Sequence, residues 1–127
     1  MKRLLLSLIL LISAYRLQAQ TATLYATGYH QPNNLSIDAA GNLYVATYGD
    51  NNVVKTNPAG AILATYTGFN DPFGLAFDQA GNLYVGSEFG GKIVKIDAAG
   101  SSTTFATGFT TLTGMAFDAT GNLYVAD

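Results

Sequence analysis

Apolar and polar residues alternate in short bursts along most of this chain, and the bursts recur on a fixed period. The central part shows the pattern most clearly. Residues 74–78 ("GLAFD"), 83–87 ("LYVGS"), 92–97 ("KIVKID") and 102–107 ("STTFAT") are short runs rich in β-branched and aromatic side chains. Each is bounded by Gly, Asn or Asp, so each predicts a strand. Beyond Ala19 no window has helical spacing. The links have the form Asp/Asn-x-x-Gly at Asp38–Gly41, Asn57–Gly60, Asp78–Gly81, Asp97–Gly100 and Asp118–Gly121. In such a turn the first carboxylate accepts backbone N–H groups further along, and the glycine takes the left-handed conformation of a type I turn with a G1 bulge. The prediction is a meander of antiparallel hairpins.

The whole pattern is repeated. "DAAGNLYV" at Asp38 returns as "DQAGNLYV" at Asp78 and "DATGNLYV" at Asp118. Gly28, Gly68 and Gly108 keep the same spacing, as do Leu35, Leu75 and Met115, and Ile37, Phe77 and Phe117. Four strands in about 40 residues is the signature of a β-propeller blade. Blades are sandwiched between neighbours, so both faces of each sheet are expected to be apolar, with Tyr44, Tyr84 and Tyr124 as packing residues. The fold class expected is all-β, with blades of four antiparallel strands: about two and a half repeats, at 28–67, 68–107 and an incomplete 108–127.

The N-terminal segment, 1–19, breaks the pattern. "MKR" precedes the apolar run "LLLSLILLI", the layout of a secretory signal peptide with cleavage after Ala19. A retained anchor is the alternative, although the run is short for a bilayer span. A secreted or periplasmic chain, 20–127, is therefore expected. It keeps three lysines against eight acids, a net charge of −5, with no arginine. That charge argues against a nucleic-acid partner, which needs clustered cations, and no membrane association is expected once the signal is removed. The chain has no cysteine, which excludes disulfides and thiolate metal sites.

The stretch "DPFGLAFDQAGNLYVGSEFGGKIVKIDAAG", from Asp71 to Gly100, resembles an NHL repeat. Such repeats share a P-x-G-(apolar)-A-(apolar)-D-x-x-G-x-(apolar)-(aromatic)-V core and a following I-x-(K/R)-(apolar) strand. The resemblance covers everything after Ala19. It implies a propeller, most often six-bladed, in the gluconolactonase-like superfamily. Asn34 replaces the motif glycine in the first unit and Leu112 the proline in the third, which reads as variation in the loops leading into the first strands. "TLYATGY" at the start matches "TTFATGF", from Thr103 to Phe109, and is expected to form a fourth, outermost strand without the three that precede it. With the last unit stopping at Asp127, the expectation is a truncated fragment of a larger ring.

Where repeats agree, the fold explains the residue; where they differ, function has room. Asp38, Gly41, Asp78, Gly81, Asp118 and Gly121 are thus structural turn residues. The divergent loop positions give His30, Asp50, Asp71 and Glu88 as candidate ligand-facing residues. No nucleophile–base pair is visible, so no catalytic residue is assigned. The expected role is a scaffold binding protein or glycan on the loop face, with no cofactor evident. The alternative is a metal-assisted lyase or lactonase. Glu88 lies in "YVGSE", similar in layout to a segment of the virginiamycin-type lyases, and the resemblance there implies Glu and His acting with a divalent cation.

Overall fold

A computed structural model describes residue 22 and residues 24–127. The expected signal segment, 1–19, lies outside the described residues.

The chain is all-β. The first sheet contains β1 (Pro32–Ile37), β2 (Leu43–Thr47), β3 (Asn52–Thr56) and β4 (Ile62–Tyr66), in that order. The second repeats it with β5 (Pro72–Phe77), β6 (Leu83–Ser87), β7 (Lys92–Ile96) and β8 (Ser102–Thr107). A third holds β9 (Gly114–Phe117) and β10 (Leu123–Ala126). Every pairing is antiparallel, and the register repeats with the sequence: Tyr44 faces Ser36, Tyr84 faces Ala76 and Tyr124 faces Ala116. Two four-stranded sheets and one two-stranded sheet fit incomplete propeller blades.

The turn chemistry sets this register. The Gly41 N–H bonds to the Asp38 carbonyl, and Asp38 N–H bonds to the Asn42 carbonyl. Asp38 Oδ1 accepts the N–H groups of Ala40 and Asn42 at 3.0 and 2.9 Å. Gly41, Gly81 and Gly121 have φ of 81°, 84° and 90°, the left-handed region where a Cβ is strained. Asn57 closes its own turn in the same way, its side-chain oxygen accepting from Ala59 and Ala61.

The core lies between sheets. One cluster joins Tyr44, Ala46 and Val53 on the first sheet to Leu75, Leu83, Val85, Val94 and Ile96 on the second. The next joins Tyr84 and Ile93 to Leu112, Met115, Phe117 and Leu123. The same contact seals both interfaces. Tyr44 meets Phe77 edge-on with ring centroids 5.0 Å apart, and Tyr84 meets Phe117 edge-on at 4.9 Å. Such a pair adds about 0.5–1.5 kcal/mol to the burial of its area. Lys55 and Lys95 lie over the Tyr44 and Tyr84 rings, 5.1 and 5.8 Å from their centroids.

Two expectations need correction, and a third gains a physical reason. Tyr124 does not pack between sheets: it is 61% exposed, against 7% for Tyr44 and 5% for Tyr84. Among the described residues no further sheet lies against its face. Leu112 lies in the loop leading into β9, as expected, and there it is a fully buried core residue. It fits because Gly86 and Gly74 lie opposite; a Cβ on Gly86 would overlap the Leu112 side chain, and one on Gly74 would lie 2.9 Å from Leu112 Cδ2. In the first interface the equivalent residues are Ala46 and Pro72, a larger residue opposed to a smaller one. Finally, residues 24–29 form no strand. A strand needs an edge to bond to, and among the described residues no third strand follows β10. The segment still lies beside the first sheet: the Tyr25 hydroxyl donates to the Asn57 carbonyl, and its own carbonyl packs against Gly60.

Candidate functional site

Two loops of each blade meet at one end of the sheets: the one leading into the first strand and the one following the second. Backbone bonds join them. Tyr48 and Gly49 N–H donate to the carbonyls of Gln31 and His30, and Glu88 N–H donates to that of Asp71 at 2.8 Å. Gln31 and Asp71 occupy the same repeat position and share a left-handed φ, 50° and 51°. Left-handed φ is uncommon away from glycine, Asn and Asp, so at Gln31 the loop is held by its hydrogen bonds, while at Asp71 residue preference acts in the same direction.

On that frame the structure brings together His30 and Asp50. His30 Nδ1 lies 3.4 Å from Asp50 Oδ1, with both side chains substantially exposed. Gly49 makes this approach feasible, because a Cβ there would run into the imidazole. Asp71 and Glu88 are joined to each other through backbone alone, and their carboxylates bond to no other described residue. Asn51 links the two blades: its side-chain oxygen accepts the Asp71 N–H at 2.8 Å. The four candidates thus occupy one face as an imidazole–carboxylate pair on the first blade and two free carboxylates on the second.

Sequence reasoning missed Asp127. Its Oδ1 accepts the N–H groups of Thr110 and Thr111 at 2.6 and 2.8 Å, capping the lead-in loop of the third blade. The signal was available, because Asp127 occupies the repeat position held by Thr47 and Ser87, where the units differ. Thr47 instead donates to Asn52 Oδ1 at 2.6 Å. The loop face therefore carries Asp50, Asp71, Glu88 and Asp127 beside one imidazole, an acidic surface. Among the described residues no three metal-ligating side chains converge.

The repeated aspartates lie at the other end of the hairpin and bond inward. Asp38, Asp78 and Asp118 each hold the side-chain amide of the Asn four residues on, at 2.8 Å. Each also accepts the hydroxyl of the Tyr six residues on, at 3.4, 3.2 and 3.3 Å. Burial raises the pKa of Asp38 and Asp78, but the bonds from the Asn side chain and the turn N–H groups outweigh it, leaving both below the ordinary 3.8. Asp118 is lowered further, chiefly by the Asn122 side chain. Their acceptor capacity is taken up inside the hairpin, an arrangement suited to closing turns rather than to binding ligands.

The fold and its loop face define a β-propeller-type protein. Among solved structures, the chain is similar to hydrazine synthase from Kuenenia stuttgartiensis, with a TM-score of 0.70 and 16% identity over 86% of this chain and 32% of that one. It is similar also to virginiamycin B lyase from Staphylococcus aureus, with a TM-score of 0.67 and 16% identity over 75% and 34%. A protein from Bacteroides caccae matches with a TM-score of 0.62 and 17% identity over 75% and 38%. The chain spans about a third of the length of each. At this identity the likeness is one of fold. No family profile and no curated protein matches the chain.

Proposed function

We propose that this chain is part of an NHL-type propeller, secreted or periplasmic, whose loop face binds a protein or glycan ligand. One observation carries the reading. The hairpins at one end are the same in all three repeats, while the loops at the other end differ and are held rigid. His30, Asp50, Asp71 and Glu88 project from loops braced by backbone bonds and by the Asn51 link between blades. Rigid presentation of divergent polar groups favours recognition, because less conformational freedom is lost on binding. The exposed Asp50 carboxylate and the half-buried Asp71 and Glu88 suit the hydroxyls of a glycan or a basic segment of a protein. The test is binding of the full chain to a panel of oligosaccharides and basic peptides, comparing wild type with Asp50→Ala, Asp71→Ala and Glu88→Ala. Asp97→Asn, at a turn of the opposite end, serves as control. The reading predicts a binder whose affinity falls in the loop variants and holds in the control. Absence of any binder, or equal loss in the control, contradicts it.

A second reading, a metal-assisted lyase or lactonase, is favoured by the His30–Asp50 pair. A carboxylate at Nδ1 orients an imidazole and leaves Nε2 for a cation or a proton. Glu88 on the next blade would add an oxygen ligand. Ring opening of lactones or cyclic depsipeptides by wild type with Mg²⁺, lost in His30→Ala and Glu88→Ala, supports this reading; inert wild type removes it.

A further inference from the structure

The loop after the second strand of the middle blade, residues 88–91, holds an aromatic ring in solvent. Phe89 is 59% exposed and belongs to neither core cluster. The sheet that carries it packs against a neighbouring sheet on each face, so this exposure is set inside the chain. The loop is fixed from both sides. The Glu88 N–H bonds to the Asp71 carbonyl at 2.8 Å, and the Gly91 carbonyl accepts the N–H groups of Gly108 and Phe109. A Cβ on Gly90 would lie 2.6 Å from Ser87 Cβ, and one on Gly91 would lie 2.9 Å from the Phe109 carbonyl oxygen. The corresponding loop of the first blade carries Tyr48, 43% exposed. A single apolar side chain on a surface means little. Rings on the equivalent loops of adjacent blades, each within two residues of a carboxylate in Glu88 or Asp50, give the loop face a defined chemistry.

We propose that this surface docks an arginine-bearing segment of a partner protein, with a guanidinium lying on the Phe89 ring and bonded to Glu88. The proposal rests on the loop-face reading above and narrows its ligand. Charge selects the class. Asp50, Asp71, Glu88 and Asp127 make the face acidic, and over residues 20–127 three lysines stand against eight acids. The nearest cation in sequence, Lys92, has its ammonium 3.5 Å from the Gly68 carbonyl. A neutral glycan gains nothing from that field, whereas a cationic segment is steered by it and kept in register. The rings select arginine. A planar guanidinium stacks on an aromatic face and still presents its edge to a carboxylate; the compact, strongly hydrated ammonium of lysine does this less well.

The test uses the full chain and a short fluorescein-labelled peptide of alternating glycine and arginine, read by fluorescence anisotropy. Its lysine counterpart and a set of neutral oligosaccharides are measured beside it. The proposal predicts tighter binding of the arginine peptide than of the lysine peptide, by about threefold or more, and a loss of about tenfold in Phe89→Ala. Phe89→Leu, apolar but without a π face, shows most of the same loss. Glu88→Gln also weakens binding, and Asp97→Asn, at the opposite end, leaves it unchanged. Urea unfolding separates recognition from a structural role: Phe89→Ala keeps the wild-type midpoint, because the ring packs in neither core cluster. Equal affinity for the two peptides, equal affinity of wild type and Phe89→Ala for the arginine peptide, or a clearly lowered midpoint in Phe89→Ala overturns the proposal. Neutral oligosaccharides bound in place of the arginine peptide overturn it as well but leave the loop-face reading standing. No binder of either kind removes both.

Discussion

The hairpins at Asp78 and Asp118 are nearly the same sequence in the same conformation, yet they occupy different physical states. Both close with the same Asp–Gly turn and the same Asp–Asn and Asp–Tyr bonds. Tyr84 is nonetheless buried between sheets and Tyr124 stands in solvent. Local sequence sets the hairpin; the neighbouring sheet sets what the hairpin contributes to stability. In a repeat fold, energy resides in the interface between units as much as in the unit.

Substitution at equivalent positions breaks the comparison most sharply. Tyr84→Ala removes a ring that touches both Phe105 and Phe117. It is expected to cost about 3 kcal/mol or more. Tyr124→Ala removes the same atoms from solvent and is expected to cost under about 1 kcal/mol. Urea unfolding of both variants measures the difference, and equal losses would mean that the stack does not govern burial.

The second comparison is between the two interfaces. Gly86 faces Leu112 where Ala46 and Pro72 stand in the first interface. Gly86→Ala is therefore expected to overpack the second interface and cost about 1–3 kcal/mol. Adding Leu112→Val should return part of that loss, although Leu112→Val alone destabilises by leaving space. Additive losses in the double variant, from the same unfolding measurement, would show that the two side chains do not share that space.

A smaller effect separates the charged turns from the neutral one at Asn57. The folded pKa of Asp78 is depressed, so its contribution is fully present above the ordinary carboxylate value of 3.8. It is lost as pH falls from there through the folded value. Asp78→Asn keeps the oxygen that accepts the turn N–H groups, as Asn57 does, but loses the one that accepts from the Asn82 amide and the Tyr84 hydroxyl. The variant should be less stable than wild type near neutral pH and lose less of its stability on acidification, read as urea midpoints between about pH 6 and pH 2. A slope as steep as wild type's would remove Asp78 from the account of acid sensitivity.

The repeated parts of the fold were legible in the sequence. The turn motif fixes register and the repeat period counts the blades; strand β6 coincides with the predicted 83–87, and β5 begins shortly before the predicted strand. Packing between blades was not legible. Leu112 reads as a departure from a motif until Gly86 is seen opposite it, and no local signal distinguishes Tyr124 from Tyr84. Of the loop face, the divergent positions could be found by register alone. The His30–Asp50 approach and the Asn51 link depend on left-handed backbone at Gln31, Asn51 and Asp71, which Asn and Asp permit without requiring and glutamine does not suggest; the Asp127 cap depends on the fold bringing Thr110 and Thr111 to the end of β10.

Amide hydrogen exchange across the chain tests most directly whether position in the stack, rather than local sequence, sets stability. Each amide reports the free energy of the opening that exposes it. The account predicts slowest exchange in β6 and β7, whose sheet is covered on both faces. It predicts markedly faster exchange, by local opening, in β9 and β10. Equal protection of the Leu83–Ser87 and Leu123–Ala126 amides would contradict it.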